Sequence, residues 1–458
     1  MSWDLRGTGP EIRILTAVLG PNEGRVAELI SGTPGHKVTR RCADAAELLA
    51  VANIGLGAVA VISADLPGLD RRMVQLLATD RVGLVVLNEH DDQFSAQRLG
   101  ALGITEALSF ADVDRYLLDA IGRAHAKVAP EQSPSFDLDA SGLVPPPPPD
   151  LPRGKVITVW GTGGAPGRTT VAINLAYALA MGAGSDPKVA KRRSKRGIQL
   201  TGDQGTLLID ADTHAPSITQ ALGLLDESSG LAQVCHSADH GLLTTETLKS
   251  SYAALASNLD LLTGLPRVTR WPEITGSALD AVYYHARLSH EWVVVDSSAP
   301  TESDEILSFD TRAPQRNAAT LTSAQASDCV IVVGRADPVG LKRLVDALTE
   351  VQENPVFHGA AVVVIVNQVR SGGAGPAAKA TISDMLAQFC QIFEPIFLPY
   401  DLAVLDRAMM LGKALVDEAP SSAFSKQIFA LAGLLHAKLG LREQVPELAM
   451  GSPIELRA

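Results

Sequence analysis

The residues with the plainest chemical reading lie in VWGTGGAPGRTTVAINLAYALA, residues 159–180. A glycine-rich turn joins an apolar run, KVITVW, to a helix-like run, TTVAINLAYALA. Such a turn lets backbone N–H groups and a helix N-terminus surround phosphate oxygens, and it needs glycine where backbone must come close. Gly163, Gly164 and Gly167 supply the turn, with Ala165 and Pro166 between them. Arg168 supplies the charge where the G-x-x-x-x-G-K-T pattern has lysine, and Thr169 supplies the hydroxyl that such loops give to Mg²⁺. The pattern is off register. Counted back from Gly167, its first glycine falls on Thr162, and Gly161 serves only if the loop has gained one residue. Pro166 also fixes a φ angle where a free N–H is usual.

Three further segments bring polar residues to the ends of apolar runs. TLLIDAD carries Asp210 and Asp212, EWVVVDSS carries Asp296, and VVVIVNQV carries Asn367. The runs are continuously apolar, not alternating, which predicts strands buried on both faces of a parallel sheet. Ligands of open parallel sheets lie at the carboxyl ends of the strands, so these residues and the glycine loop should converge on one edge. A single aspartate at a strand end is ordinarily a turn or cap residue. The ordered set points instead to a phosphate site in which Asp296 helps to hold Mg²⁺.

The elements that must position these groups are legible along the 458-residue chain. PEQSPSFDLDASGLVPPPPPDLPRG, residues 130–154, contains five consecutive prolines and reads as an extended linker. It divides the chain into residues 1–129, residues 155–440 and a C-terminal tail, 441–458. The first block alternates IRILTAV, HKVTRRC, AVAVIS, VGLVVLN and EALSF with five helix-like runs, which predicts a parallel α/β sheet. The second block alternates in the same way, through CVIVVGR to a last short run, EPIFLPYD. The predicted fold class is therefore α/β throughout.

Composition narrows the functions. A formal net charge of −12 argues against nucleic acid as a partner of the general surface. Cys42, Cys235, Cys329 and Cys390 are widely spaced and read as buried thiols, without disulfide or metal role. The N-terminus lacks a signal-peptide pattern and no apolar run is long enough to span a bilayer, so the expected compartment is the cytoplasm.

The first block resembles a receiver (CheY-like) domain. In VISADLPGLD, however, the phosphoacceptor position counts back to Ser63, with Asp65 two residues off. The first strand ends TAVLG, without an acidic pair for Mg²⁺, and EALSF offers no lysine. The block reads as a degenerate receiver kept for docking.

In the second block, the order GGAPGRTT, LLIDAD, VVVDSS, VNQV, LPYD resembles the deviant Walker A ATPases of the MinD/ParA family. With the receiver-like block, it is similar to the TadZ/CpaE group, which localises pilus assembly. That resemblance implies a P-loop domain that binds ATP and Mg²⁺ and forms a homodimer. It implies that Thr169, Asp210 and Asp296 serve the metal, and that Thr170 contacts phosphate. Asp212 would orient the attacking water, Asn367 would contact adenine, and Pro399 would lie in the segment that closes the base pocket. The family's signature lysine is absent, since Thr162-Gly163 stands there, and Arg168 replaces the other lysine as the charge for phosphoryl transfer.

The expected function is spatial localisation of pilus or secretion machinery, at the inner face of the membrane through partners. Two alternatives stay open: a scaffold that binds nucleotide without turnover, and an active chromosome-partitioning or septum-site ATPase. The basic run KVAKRRSKR (188–196) reads as a solvated insertion, TESDEILSFD (301–310) as a switch or an ordinary acidic loop. The last helix, with Phe424, Ile428, Leu431 and Leu435 at helical spacing, reads as core rather than membrane-binding.

Overall fold

The computed structural model describes residues 11–89, 93–128, 154–164, 166–182, 205–225, 228–302, 314–370 and 378–439. Ala165, the proline linker, the basic run 188–196, residues 303–310 of the acidic run and the tail lie outside the described residues.

Two sheets organise the chain. The first contains β1 (Ile12–Ala17), β2 (His36–Arg41), β3 (Val59–Ser63), β4 (Gly83–Asn88) and β5 (Ala107–Ser109). All its pairings are parallel, in the order β2-β1-β3-β4-β5. This is the doubly wound order of flavodoxin and CheY. Its helices are α1 (Asn22–Ser31), α2 (Ala45–Asn53), α3 (Arg71–Thr79), α4 (Gln93–Ala101) and α5 (Val113–Val128). Asp44 and Asp70 start α2 and α3 by accepting from the N–H groups of Glu47 and Met73, as good N-caps do. The five expected βα units all form.

The second sheet contains β6 (Lys155–Gly161), β7 (Thr206–Ala211), β8 (Ala253–Ala256), β9 (Leu259–Leu262), β10 (Trp292–Ser297), β11 (Cys329–Arg335), β12 (Ala361–Val369) and β13 (Ile396–Pro399). Their order is β13-β12-β11-β6-β10-β7-β9-β8, and only the β8–β9 pairing is antiparallel. The fold is thus α/β with one wholly parallel and one mostly parallel sheet. The continuous apolar runs lie in its centre: β6, β7, β10 and β11 are buried along nearly their whole length. Sequence reasoning missed β8. Its AALA lacks the β-branched and aromatic residues that mark strands, and it forms only an edge.

The helices of this block are α6 (Arg168–Ala180), α7 (Ile218–Ala221), α8 (Gly230–Asp239), α9 (Thr245–Ser250), α10 (Gly276–Ser289), α11 (Ala318–Gln325), α12 (Pro338–Glu353), α13 (Ala378–Cys390), α14 (Leu402–Met410), α15 (Leu415–Glu418) and α16 (Ala423–Leu439). α6 is buried almost all round and packs with α16 in one core layer, where Phe424, Ile428, Leu431 and Leu435 are all buried. The last helix therefore belongs to the core, as its spacing predicts. The four cysteines are free and buried. Among the described residues no helix is long and apolar enough to cross a membrane.

The two sheets meet through α3 and α4 on one side and α8 and α10 on the other. Arg98 spans the junction: its Nη1 donates to the Ala64 carbonyl at 3.0 Å and its Nε to the His240 carbonyl at 3.3 Å. Arg71 is only 6% exposed. Burial opposes its cation, while the charges of Asp239 and Asp280 favour it.

Candidate functional site

The glycine loop leaves β6 at Gly161. A Cβ there would fall 2.2 Å from the Val333 carbonyl oxygen on β11, so only glycine fits. Gly161 therefore opens the loop, which is one residue longer than the standard pattern. Gly167 closes it as the N-cap of α6, with φ +93°, a left-handed angle that side chains disfavour. A Cβ at Gly167 would also lie 2.4 Å from Nδ2 of Asn367.

Asn367 is buried at the end of β12 and clamps the loop. Its Nδ2 donates to the Pro166 carbonyl at 2.7 Å, and its Oδ1 accepts from the N–H of Gln368 at 2.8 Å. Pro166 itself is buried, whereas Gly163 and Gly164 form the exposed apex. Thr170 is the third residue of α6, and its carbonyl accepts from Asn174 at 2.8 Å. Pro399 ends β13, next to Tyr400, whose ring is covered by Arg370 at 4.6 Å.

Arg168 folds back on its own loop. Its Nη1 donates to the carbonyls of Gly161 at 3.2 Å and Thr162 at 2.8 Å. Its Nη2 lies 3.5 Å from Oδ2 of Asp212, an ion pair that is largely buried. The other oxygen of Asp212 accepts from the N–H groups of His214 and Ala215 at 2.9 and 2.8 Å. Arg316 braces the same turn: it donates to the Thr213 hydroxyl and carbonyl, both at 3.1 Å, and stacks on Trp271 at 5.1 Å.

The two remaining carboxylates stand side by side on adjacent strands. β10 lies between β6 and β7, and the register pairs Asp296 directly with Asp210. Asp210 accepts from the N–H groups of Ser217 at 3.2 Å and Ile218 at 3.1 Å, at the start of α7. Burial and the charge of Asp212 nevertheless push its carboxyl up to about 7, against those bonds. Gly264 walls it in, since a Cβ there would fall 2.7 Å from the Asp210 carboxyl carbon. A cleft of about 620 Å³ lined by Thr219, Ser228, Gly264 and Arg267 opens beside this wall.

Asp296 is 0% exposed. Among the described residues neither of its oxygens meets a hydrogen-bond donor in bonding geometry. Burial, then the charge of Asp210, holds its carboxyl well above the ordinary range, although the nearby Thr169 hydroxyl favours the charged form. The Thr169 hydroxyl also accepts from Ser217 at 3.3 Å. A buried carboxylate without a partner is costly in an apolar interior. A cation beside Thr169, Asp296 and Asp210 supplies the missing counter-charge, so these donors fit a divalent metal. Among the described residues no group of three His, Cys, Asp or Glu forms a metal cage. Mg²⁺ ordinarily binds one or two carboxylates and completes its shell with water and phosphate oxygens.

The structure thus gathers Gly163, Gly164, Pro166, Gly167, Arg168, Thr169, Asp210, Asp212, Asp296 and Asn367 at the carboxyl edge of one sheet. Sequence reasoning passed over Ser217, Gly264, Arg316 and Arg343. Each acts through a contact made in space, and none carries a local pattern.

No family model matches the chain, and no curated protein matches it. Solved structures do. The chain is similar to a ParA family ATPase from Chlorobium tepidum at 17% identity and a TM-score of 0.47, over 61% of this chain and 98% of that one. It is similar to the septum site-determining protein MinD from Pyrococcus horikoshii, complexed with Mg-ADP, at 16% identity and a TM-score of 0.45, over 63% and 99%. It is also similar to a single-residue variant of McdA from Cyanothece in complex with ATP, at 16% identity and a TM-score of 0.44, over 64% and 99%.

Proposed function

We propose that this chain is an ATP-binding spatial localisation factor of the MinD/ParA type, serving pilus or secretion machinery. One observation carries the nucleotide reading. A fully buried Asp296, with the Thr169 hydroxyl nearby and no donor in bonding geometry among the described residues, stands in register with Asp210, beside a helix N-terminus that opens from a glycine loop. Backbone N–H groups at that N-terminus suit phosphate oxygens. Thr169, Asp296 and Asp210 would hold Mg²⁺, which neutralises phosphate charge when bound. Pro399 and the chain around it would border the base, and Asn367, which also holds the loop at Pro166, would contact it. The localisation role rests on the motif order and on the pairing with a receiver-like block. In that block Ser63 stands at the acceptor position, which suits docking rather than phosphotransfer.

A second reading, binding without turnover, is favoured by Asp212. One of its oxygens is held by two backbone N–H groups and the other faces Arg168. Orienting a water requires that ion pair to open. The chain acts as a homodimer, and without a signature lysine its association depends only weakly on ATP. Calorimetric titration of ATP with and without Mg²⁺ tests the nucleotide reading, and absence of binding in both refutes it. Steady-state phosphate release from wild type and Asp212→Ala then separates turnover from scaffolding: release that Asp212→Ala abolishes establishes an ATPase. Co-sedimentation with DNA at physiological salt would favour partitioning over pilus localisation.

A further inference from the structure

The loop has two arginines at its disposal, and the structure uses them differently. Arg168 is largely buried and committed to the Gly161 and Thr162 carbonyls and to Asp212. Arg343, on α12, is exposed, and its Nη1 donates to the Gly163 carbonyl at 3.1 Å. No carboxylate among the described residues pairs with it, although its neighbour Lys342 is paired with Asp346. A Cβ built on Gly164 would lie 2.2 Å from the same Nη1. The guanidinium therefore lies directly over the exposed apex of the loop.

Its position is fixed by the helix that carries it. Asp337 caps α12 by accepting from Gly340 N–H at 2.9 Å, and Pro338 sets the first turn. Gly340 lets that turn close on β11, because a Cβ there would fall 2.5 Å from the Cβ of Arg335. Leu344, fully buried beside Arg343, packs over Gly334, where a Cβ would lie 2.8 Å from its own. α12 is thus pinned to the end of β11, and β11 is hydrogen-bonded to β6, the strand that feeds the loop.

We infer that Arg343, and not Arg168, is the cation that pairs with the terminal phosphates of a bound nucleoside triphosphate, while Arg168 latches the loop to Asp212. This rests on the nucleotide reading above. A guanidinium without a carboxylate partner, held by one neutral carbonyl, gains by exchanging it for phosphate oxygens. Charge-assisted bonds are roughly twice as strong as neutral ones, and the planar fork suits phosphate.

Calorimetric titration of AMP, ADP and ATP with Mg²⁺ into wild type, Arg343→Ala, Arg343→Lys and Arg168→Ala tests this. Arg343→Ala should weaken ATP about tenfold, ADP less and AMP hardly at all, the size expected for one exposed charge-assisted contact. Arg343→Lys should recover part of the loss. Arg168→Ala should lower the melting temperature yet weaken ATP less than Arg343→Ala does. ATP affinity unchanged in Arg343→Ala overturns the inference and leaves the nucleotide reading standing. An equal loss for all three nucleotides also overturns it, by making Arg343 a scaffold of the loop. Failure of wild type to bind any of them overturns the nucleotide reading itself.

Discussion

Replacing Asp296 by asparagine should stabilise the protein above neutral pH and remove its response to Mg²⁺. Asp296 is fully buried, with no donor to either oxygen in bonding geometry among the described residues, and it stands in register with Asp210. The carboxyl of Asp210 is pushed from 3.8 to about 7, chiefly by burial. Some three units at about 1.4 kcal/mol each put the cost of ionising Asp210 in the fold at about 4 kcal/mol. Asp296 carries a cost of the same kind, without the backbone donors that help Asp210. The asparagine amide removes that charge but leaves a buried polar group short of partners, at about 1–3 kcal/mol. The variant should therefore unfold at a higher urea concentration than wild type near pH 8. The sign follows from proton linkage. A carboxyl raised in the fold binds a proton that the unfolded chain has released, so the stability it contributes is full at acid pH and is lost as pH rises through its raised folded value. The advantage of the variant should therefore be largest near pH 8 and fade near pH 5. Urea unfolding at both pH values measures it, and adding Mg²⁺ with ATP should stabilise wild type more than the variant. A variant less stable than wild type near pH 8, or one with the same advantage at both pH values, refutes the reasoning.

Acetyl phosphate should leave the first block unmodified, because Ser63 is 1% exposed and its hydroxyl accepts from Leu19 N–H at 2.8 Å. Intact-mass measurement showing one added phosphate on Ser63 or Asp65 would count against a docking-only role. Arg71→Ala should cost on the order of 2 kcal/mol, because it removes a buried guanidinium that donates to the Ala101 carbonyl and that the charges of Asp239 and Asp280 favour between the two sheets. An unchanged urea midpoint would show that this charge does not support the junction. Asn367→Ala removes the clamp on Pro166 and should weaken ATP by roughly three- to tenfold, about the worth of one hydrogen bond. A fluorescent ATP analogue that binds it as tightly as wild type would show the clamp to be dispensable.

What the sequence discloses about the site depends on how each residue reaches it. Asp210, Asp212, Asp296 and Asn367 are legible because each ends an apolar run, and parallel strands align those ends on one edge. Their facing partners are not legible. That Asp296 meets Asp210, and not the residues after β11, follows from the order β11-β6-β10-β7, which no local pattern states. Gly161 is legible only as an irregularity of spacing. Its necessity comes from the Val333 carbonyl of a strand more than 160 residues away. Lys342 and Arg343 show the limit most sharply. They are adjacent, both basic and both exposed. Lys342 pairs within its own helix, with Asp346. One residue further on, about 100° around the helix, Arg343 reaches a different segment altogether, the Gly163 carbonyl. Helix geometry sets the rotation between them, but only packing of α12 on Gly334 and Gly340 decides which of the two points at the loop. Arg168 illustrates the converse. Its place in the motif is evident, yet the same glycine loop that makes it recognisable also offers the Gly161 and Thr162 carbonyls that hold it inward. A residue's position in a motif therefore locates the site, while its partners in space decide what charge remains free to meet a ligand.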